Sequence, residues 1–81
     1  MLSTDNVYER LNKLFRDVLD DDGLVLRQDT TAKDVEGWDS MANVQLMLGV
    51  EREFGVHLSA GQMQALRNVG DLVSVIVKAS A

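Results

Sequence analysis

The stretch "WDSMANVQLMLGVEREF", Trp38 to Phe54, decides how this chain folds. Aspartate and serine, both preferred helix N-caps, stand ahead of a run with apolar residues at three- and four-residue steps, and Gly55 follows as a stop. The spacing predicts a helix capped by Asp39 or Ser40 and ending near Gly55. Spread at ~100° per residue, its apolar residues fall into two groups. Leu46, Met47, Val50 and Phe54 share one arc, the stripe expected to face a core. Met41, Val44 and Leu48 share a second, with Gln45, Glu51 and Arg52 beside them. A surface helix needs only one apolar face, so the second predicts a cover. Either the chain's own preceding connection lies over it, claiming Val44 first, or a partner docks on a small apolar patch rimmed by charge. Methionine suits the latter, being unbranched and adaptable. Gly49 costs about 1 kcal/mol relative to alanine in mid-helix. It either loosens packing near Met47 and Val50 or admits a close helix contact.

Upstream, Val7, Leu11, Leu14, Phe15, Val18 and Leu19 recur at helical steps, which predicts an amphipathic helix over 4–19 with Ser3 or Thr4 as cap. The run "DDDG", Asp20 to Gly23, ends it: carboxylates are unfavourable at a helix C-terminus, and glycine readily takes the left-handed terminal conformation. A calcium loop is excluded there, because aligning Gly23 to the loop glycine puts Val18 at the first ligand position. Residues 24–38 show no helical period, and Leu24, Leu26 and Val35 are expected to pin them. Downstream, "SAGQ", Ser59 to Gln62, matches a capping box and starts a short helix carrying Met63 and Leu66. "NVGD", Asn68 to Asp71, opens the last, with Leu72, Val75 and Ile76 inward. The expected fold is all-α: a four-helix bundle with a short third helix and a long connection between the first two.

At 81 residues one domain, 1–81, is expected, with a thin margin of stability. Thirteen acidic against eight basic residues, a net charge of −5, exclude the concentrated basic face that nucleic acid requires, a helix-turn-helix DNA binder included. There is no cysteine, and one histidine alone makes no zinc site. No signal peptide or membrane span is visible, so a cytoplasmic protein is expected. Met1 and the short tail after Val77 point to a free-standing protein.

Catalysis by Ser40 would need a histidine as base. His57 lies past the far end of a helix about 20 Å long, and "GWDSM" lacks the glycines of a nucleophile elbow. Two readings stay open: Ser40 as N-cap, or, with Asp39 as cap, a hydroxyl free for covalent modification where the helix end favours a phosphate ester.

"GWDSM" followed by "ANVQLMLGVEREFGVHL" and later "NVGDLVSVI" resembles the acyl carrier protein family and its aryl, aminoacyl and peptidyl relatives, over nearly the whole chain. The resemblance implies a non-catalytic carrier with its family's bundle. Ser40 would receive 4′-phosphopantetheine from coenzyme A through a phosphopantetheinyl transferase, Asp39 helping to present it. The imported thiol would hold acyl or aminoacyl groups for a loading ligase or transferase and downstream synthase enzymes, in a monomeric carrier. Met41, Gln45, Leu48, Glu51 and Arg52 match the docking face. Leu46, Met47, Val50, Met63 and Leu66 fall where the family packs its core and, in some members, shelters an acyl chain. Met41, Ala42, Asn43 and Gln45 depart from the leucine and early acids of primary fatty-acid carriers, and Arg52 stands where an acid is common. That implies weaker attraction to basic partners and a specialised carrier, in fatty acid, polyketide or another pathway. The competing reading is a non-covalent helical interaction module that uses Met41 and Leu48, with Ser40 as cap.

Overall fold

The computed structural model describes residues 3–79; Met1, on which the free-standing expectation leaned, lies outside them. Four α-helices follow in order, α1 Thr4–Leu19, α2 Ser40–Phe54, α3 Ala60–Ala65 and α4 Val69–Ala79, with a 3₁₀ turn at Ala32–Asp34. This is the expected all-α bundle with a short third helix. None of these helices is long and apolar enough to cross a membrane.

Ser3 starts α1 by accepting the Asn6 N–H on its hydroxyl at 3.1 Å. The stop differs from the expectation. Asp20, not Gly23, takes the left-handed conformation, at φ 53°, and its N–H reaches the Arg16 carbonyl. Aspartate tolerates that region better than most residues, and it occurs here directly after the last apolar residue of the stripe. Val7, Leu11 and Phe15 are fully buried, while Leu14, Val18 and Leu19 flank the core half-buried. Each large apolar side chain removed from water in this way contributes roughly 1.5–3 kcal/mol.

α1 packs on α2 and on α4. Gly49 belongs to the first contact: a Cβ there would stand 2.6 Å from Leu14 Cδ1, so the glycine admits a close helix approach and does not loosen the groove. At the end of α2, where Gly55 turns left-handed at φ 66°, Arg10 of α1 acts as a remote cap. Its guanidinium donates to the Glu53 carbonyl and carboxylate and lies over the Phe54 ring, 4.6 Å from its centre.

The connection between α1 and α2 is pinned as expected by buried Leu26 and Val35, with Leu24 half-buried. Polar groups hold it equally. Asn12 Oδ1 accepts the Leu26 N–H at 2.7 Å, and Arg16 Nε donates to the Leu24 carbonyl at 2.6 Å. The first N–H groups of α4, which have no partner within their own helix, donate into the connection: Val69 to the Thr30 carbonyl at 2.8 Å and Gly70 to the Gln28 carbonyl at 2.9 Å. The next, Asp71 N–H, is taken by Asn68 Oδ1, while the Asp71 carboxylate accepts the Arg67 N–H, one residue short of a reciprocal capping box. Val69, Leu72, Val73 and Ile76 of α4 are buried and Val75 is half-buried, a wider inward face than the sequence suggested.

Candidate functional site

Asp39 closes the start of α2. Its Oδ1 accepts the Ala42 N–H and its carbonyl the Asn43 N–H, each at 2.8 Å. Ser40 is therefore the first helical residue, and capping leaves its hydroxyl unused. The residue is exposed, and among the described residues neither its hydroxyl nor the backbone N–H groups of Ser40 and Met41 have a hydrogen-bond partner. The first turn carries no acidic side chain. Free N–H groups and the positive end of the helix dipole lie at this residue, surroundings that favour a phosphodiester. These residues fit a phosphate-linked prosthetic group.

Among the described residues no histidine stands beside the hydroxyl. His57 sits beyond the far end of the fifteen-residue helix, 86% exposed, with Nδ1 3.0 Å from Glu51 Oε2.

Ser40 stands on the rim of a cleft of about 390 Å³ between α2, α3 and the start of α4. Trp38, Asp39 and Asn43 share that rim. Met47, Met63, Leu66 and Leu72 supply the apolar lining, and Arg67 and Asn68 face them from the approach to α4. Trp38 is held twice: its indole N–H donates to Asn43 Oδ1 at 3.0 Å, and its ring stands edge-on to buried Phe15, centroids 5.0 Å apart at 86°. Two residues expected beside such a cleft, Leu46 and Val50, do not line it. Both are fully buried in the main core, because their arc on α2 faces inward where Met47, at 3% exposure, still borders the opening. α3 begins with the predicted box, Ser59 Oγ accepting the Gln62 N–H at 3.1 Å and Gln62 Oε1 the Ser59 N–H at 2.9 Å.

The second face of α2 is open to solvent. Met41, Val44 and Leu48 are 75%, 60% and 53% exposed, with Gln45 and Arg52 exposed beside them and Glu51 half-buried in its pair with His57. The connection does not cover them, Val44 included, because its apolar anchors and the donors of α4 draw it elsewhere. Sequence reasoning missed the cleft residues Trp38, Asn43, Arg67, Asn68 and Leu72. The one local signal was an Asn in capping position ahead of the last helix and another in the first turn of α2.

Comparison with known proteins assigns the class. The family described as "Phosphopantetheine attachment site" matches residues 9–76. An acyl carrier protein of Sinorhizobium fredii is 33% identical over 76 residues, covering 94% of this chain and 97% of the relative. One of Thermotoga maritima is 28% identical over 78 residues, covering 96% of each. The solution structure of a holo acyl carrier protein from Geobacter metallireducens superposes with a TM-score of 0.84 at 36% identity, over 89% of this chain and 83% of that one. The fold and site thus define a phosphopantetheine-dependent carrier. The chain belongs to the acyl carrier protein family: a carrier of acyl groups on a 4′-phosphopantetheine arm, and not an enzyme.

Proposed function

We propose that Ser40 carries the arm, through a phosphodiester to its Oγ. The observation that supports this most directly is the division of labour at the start of α2: Asp39 holds the cap, so the Ser40 hydroxyl projects free at the positive helix end and on the rim of the cleft. When bound, the prosthetic group supplies the thiol that this cysteine-free chain lacks, and the cargo rides on it as a thioester. The rest falls to the chain. Asp39 rigidifies the first turn and helps present Ser40 to a phosphopantetheinyl transferase, the free N–H groups of Ser40 and Met41 balance the phosphodiester charge, and the cleft offers an apolar lining to the cargo. Met41, Gln45, Leu48, Glu51 and Arg52 form the face on which the transferase, a loading ligase or transferase and downstream synthase enzymes dock. Exposure of three large apolar side chains at its centre supports that role. The working unit is one domain, 1–81, monomeric and cytoplasmic, serving fatty acid, polyketide or another specialised pathway.

The test is to incubate the protein with coenzyme A and a promiscuous transferase and weigh it. A gain of one phosphopantetheinyl group that disappears in Ser40→Ala is expected. No gain, or a gain that persists in the variant, overturns the assignment and leaves Ser40 as part of a non-covalent docking helix.

A further inference from the structure

The polar groups around the cleft are oriented by the fold. An indole N–H only donates, so the Asn43 atom 3.0 Å from Trp38 Nε1 is its carbonyl oxygen, and its amide nitrogen is the group left over. The Asp71 N–H likewise fixes the Asn68 side-chain oxygen at 2.9 Å, leaving that amide nitrogen over too. Neither nitrogen has a hydrogen-bond partner among the described residues. The Asp39 carboxylate on the rim already accepts the Ala42 N–H. Both side-chain amides that line the cleft therefore have N–H donors to offer, each with its oxygen already accepting a bond within the fold, around an apolar lining of Met47, Met63, Leu66 and Leu72. A purely saturated chain would cover those donors without pairing them, which is unfavourable.

We propose that the cleft prefers acyl cargo bearing a neutral carbonyl oxygen, to which the amide N–H groups of Asn43 and Asn68 donate while the hydrocarbon lies against the methionines. A carboxylate fits less well: Asp39 lines the cleft, and the cation that lines it, Arg67, is 86% exposed and already paired with Asp71. This inference rests on Ser40 being the attachment residue.

The test uses a promiscuous transferase to load the protein from three coenzyme A analogues, with adenosine 3′,5′-bisphosphate leaving: one without cargo, one with a hexanoyl group and one with a β-oxohexanoyl group, each cargo joined by a stable amide in place of the thioester. Mass reports loading, so its failure speaks against the Ser40 assignment and not against the selectivity. The side-chain amide signals of Asn43 and Asn68 are then followed by NMR, and Tm is measured. The β-oxo cargo is expected to move both amide pairs further than hexanoyl and to raise Tm more. Asn43→Asp and Asn68→Asp keep the oxygens that serve Trp38 and Asp71 but lose the donors. In the doubly substituted, loaded protein the extra rise in Tm from the β-oxo cargo is expected to vanish while the rise from hexanoyl stays. Equal effects of the two cargoes in the unsubstituted protein overturn the proposal, and so do amide shifts already complete without cargo, since the arm's own carbonyls would then hold the donors.

Discussion

The two irregular regions, residues 20–39 and residues 55–68, solve the same problem in different ways. The longer one is tied into the bundle by groups from other elements: Asn12 and Arg16 of α1 hold its backbone, and Val69 and Gly70 of α4 donate into it. The shorter one satisfies its backbone locally, through the Ser59–Gln62 box and the turn at Leu66, and meets the rest of the molecule through buried Val56 and Leu58 and half-buried Met63 and Leu66. Length alone would have assigned the firmer anchoring to the shorter region. Where backbone polar groups are paired across elements, a long connection becomes part of the scaffold. Where they are paired within a single turn, the segment meets the bundle through its apolar side chains; both regions border the cleft, the longer through Ala32, Trp38 and Asp39 and the shorter through Met63, Leu66, Arg67 and Asn68.

Glycine-to-alanine substitution probes both regions with opposite expected signs. A Cβ at Gly70 would stand 2.8 Å from the Gln28 carbonyl oxygen and 2.7 Å from Gln28 Cγ, against backbone that this glycine's own N–H binds. Gly70→Ala is expected to lower stability by about 1–3 kcal/mol in denaturant titration. A loss under about 0.5 kcal/mol, the range of an ordinary surface change, would show that the connection yields and is not scaffold. Gly61 lies in α3 with only Ser59 Oγ near its would-be Cβ, at 4.0 Å. Gly61→Ala is expected to raise stability by roughly 0.5–1 kcal/mol through reduced backbone freedom in the unfolded chain. A destabilised variant would mean that α3 is held by more than its own cap.

The smallest effect belongs to Tyr8. Burial, and next the charge of Asp29 in the connection, hold its phenol above the ordinary range. A raised phenol contributes stability that is fully present below the unfolded pKa and is lost as pH rises through the folded one. Tyr8 is the chain's one tyrosine, so ultraviolet titration reads it alone. Its midpoint should exceed that of an unstructured peptide and fall part of the way back in Asp29→Asn. An unchanged midpoint in the variant would put Asp29 further from Tyr8 than a tightly held connection allows.

What was legible in the sequence is what depends on near neighbours. The stripe of α1, the caps at Ser3, Asp39 and Ser59 and the two arcs of α2 follow from spacings of a few residues, which helix geometry converts directly into faces. Ser40 stood out for the same reason. The apolar pins Leu26 and Val35 were legible too, but the polar ones were not, because Asn12 with Leu26, Arg10 with Glu53 and Thr30 with Val69 join residues 14 to 43 positions apart and leave no periodic trace. Angular arcs also say which residues share a face but not what covers it, so the exposure of Val44 had to wait for the path of the connection. The cleft was hidden likewise, since it is bounded by α2, α3 and the start of α4 and no one of them encodes it.

Trp38 is the chain's only tryptophan, and its indole forms one wall of the opening beside Ser40, with its N–H tied to Asn43 and its edge set on Phe15. The molecule thereby carries a native optical probe beside the proposed attachment residue. Intrinsic emission should shift as that wall is wetted, covered or displaced, with no label attached and no background from a second indole. Loading, cargo exchange and partner engagement could then be timed in a stopped-flow cell on the unsubstituted chain.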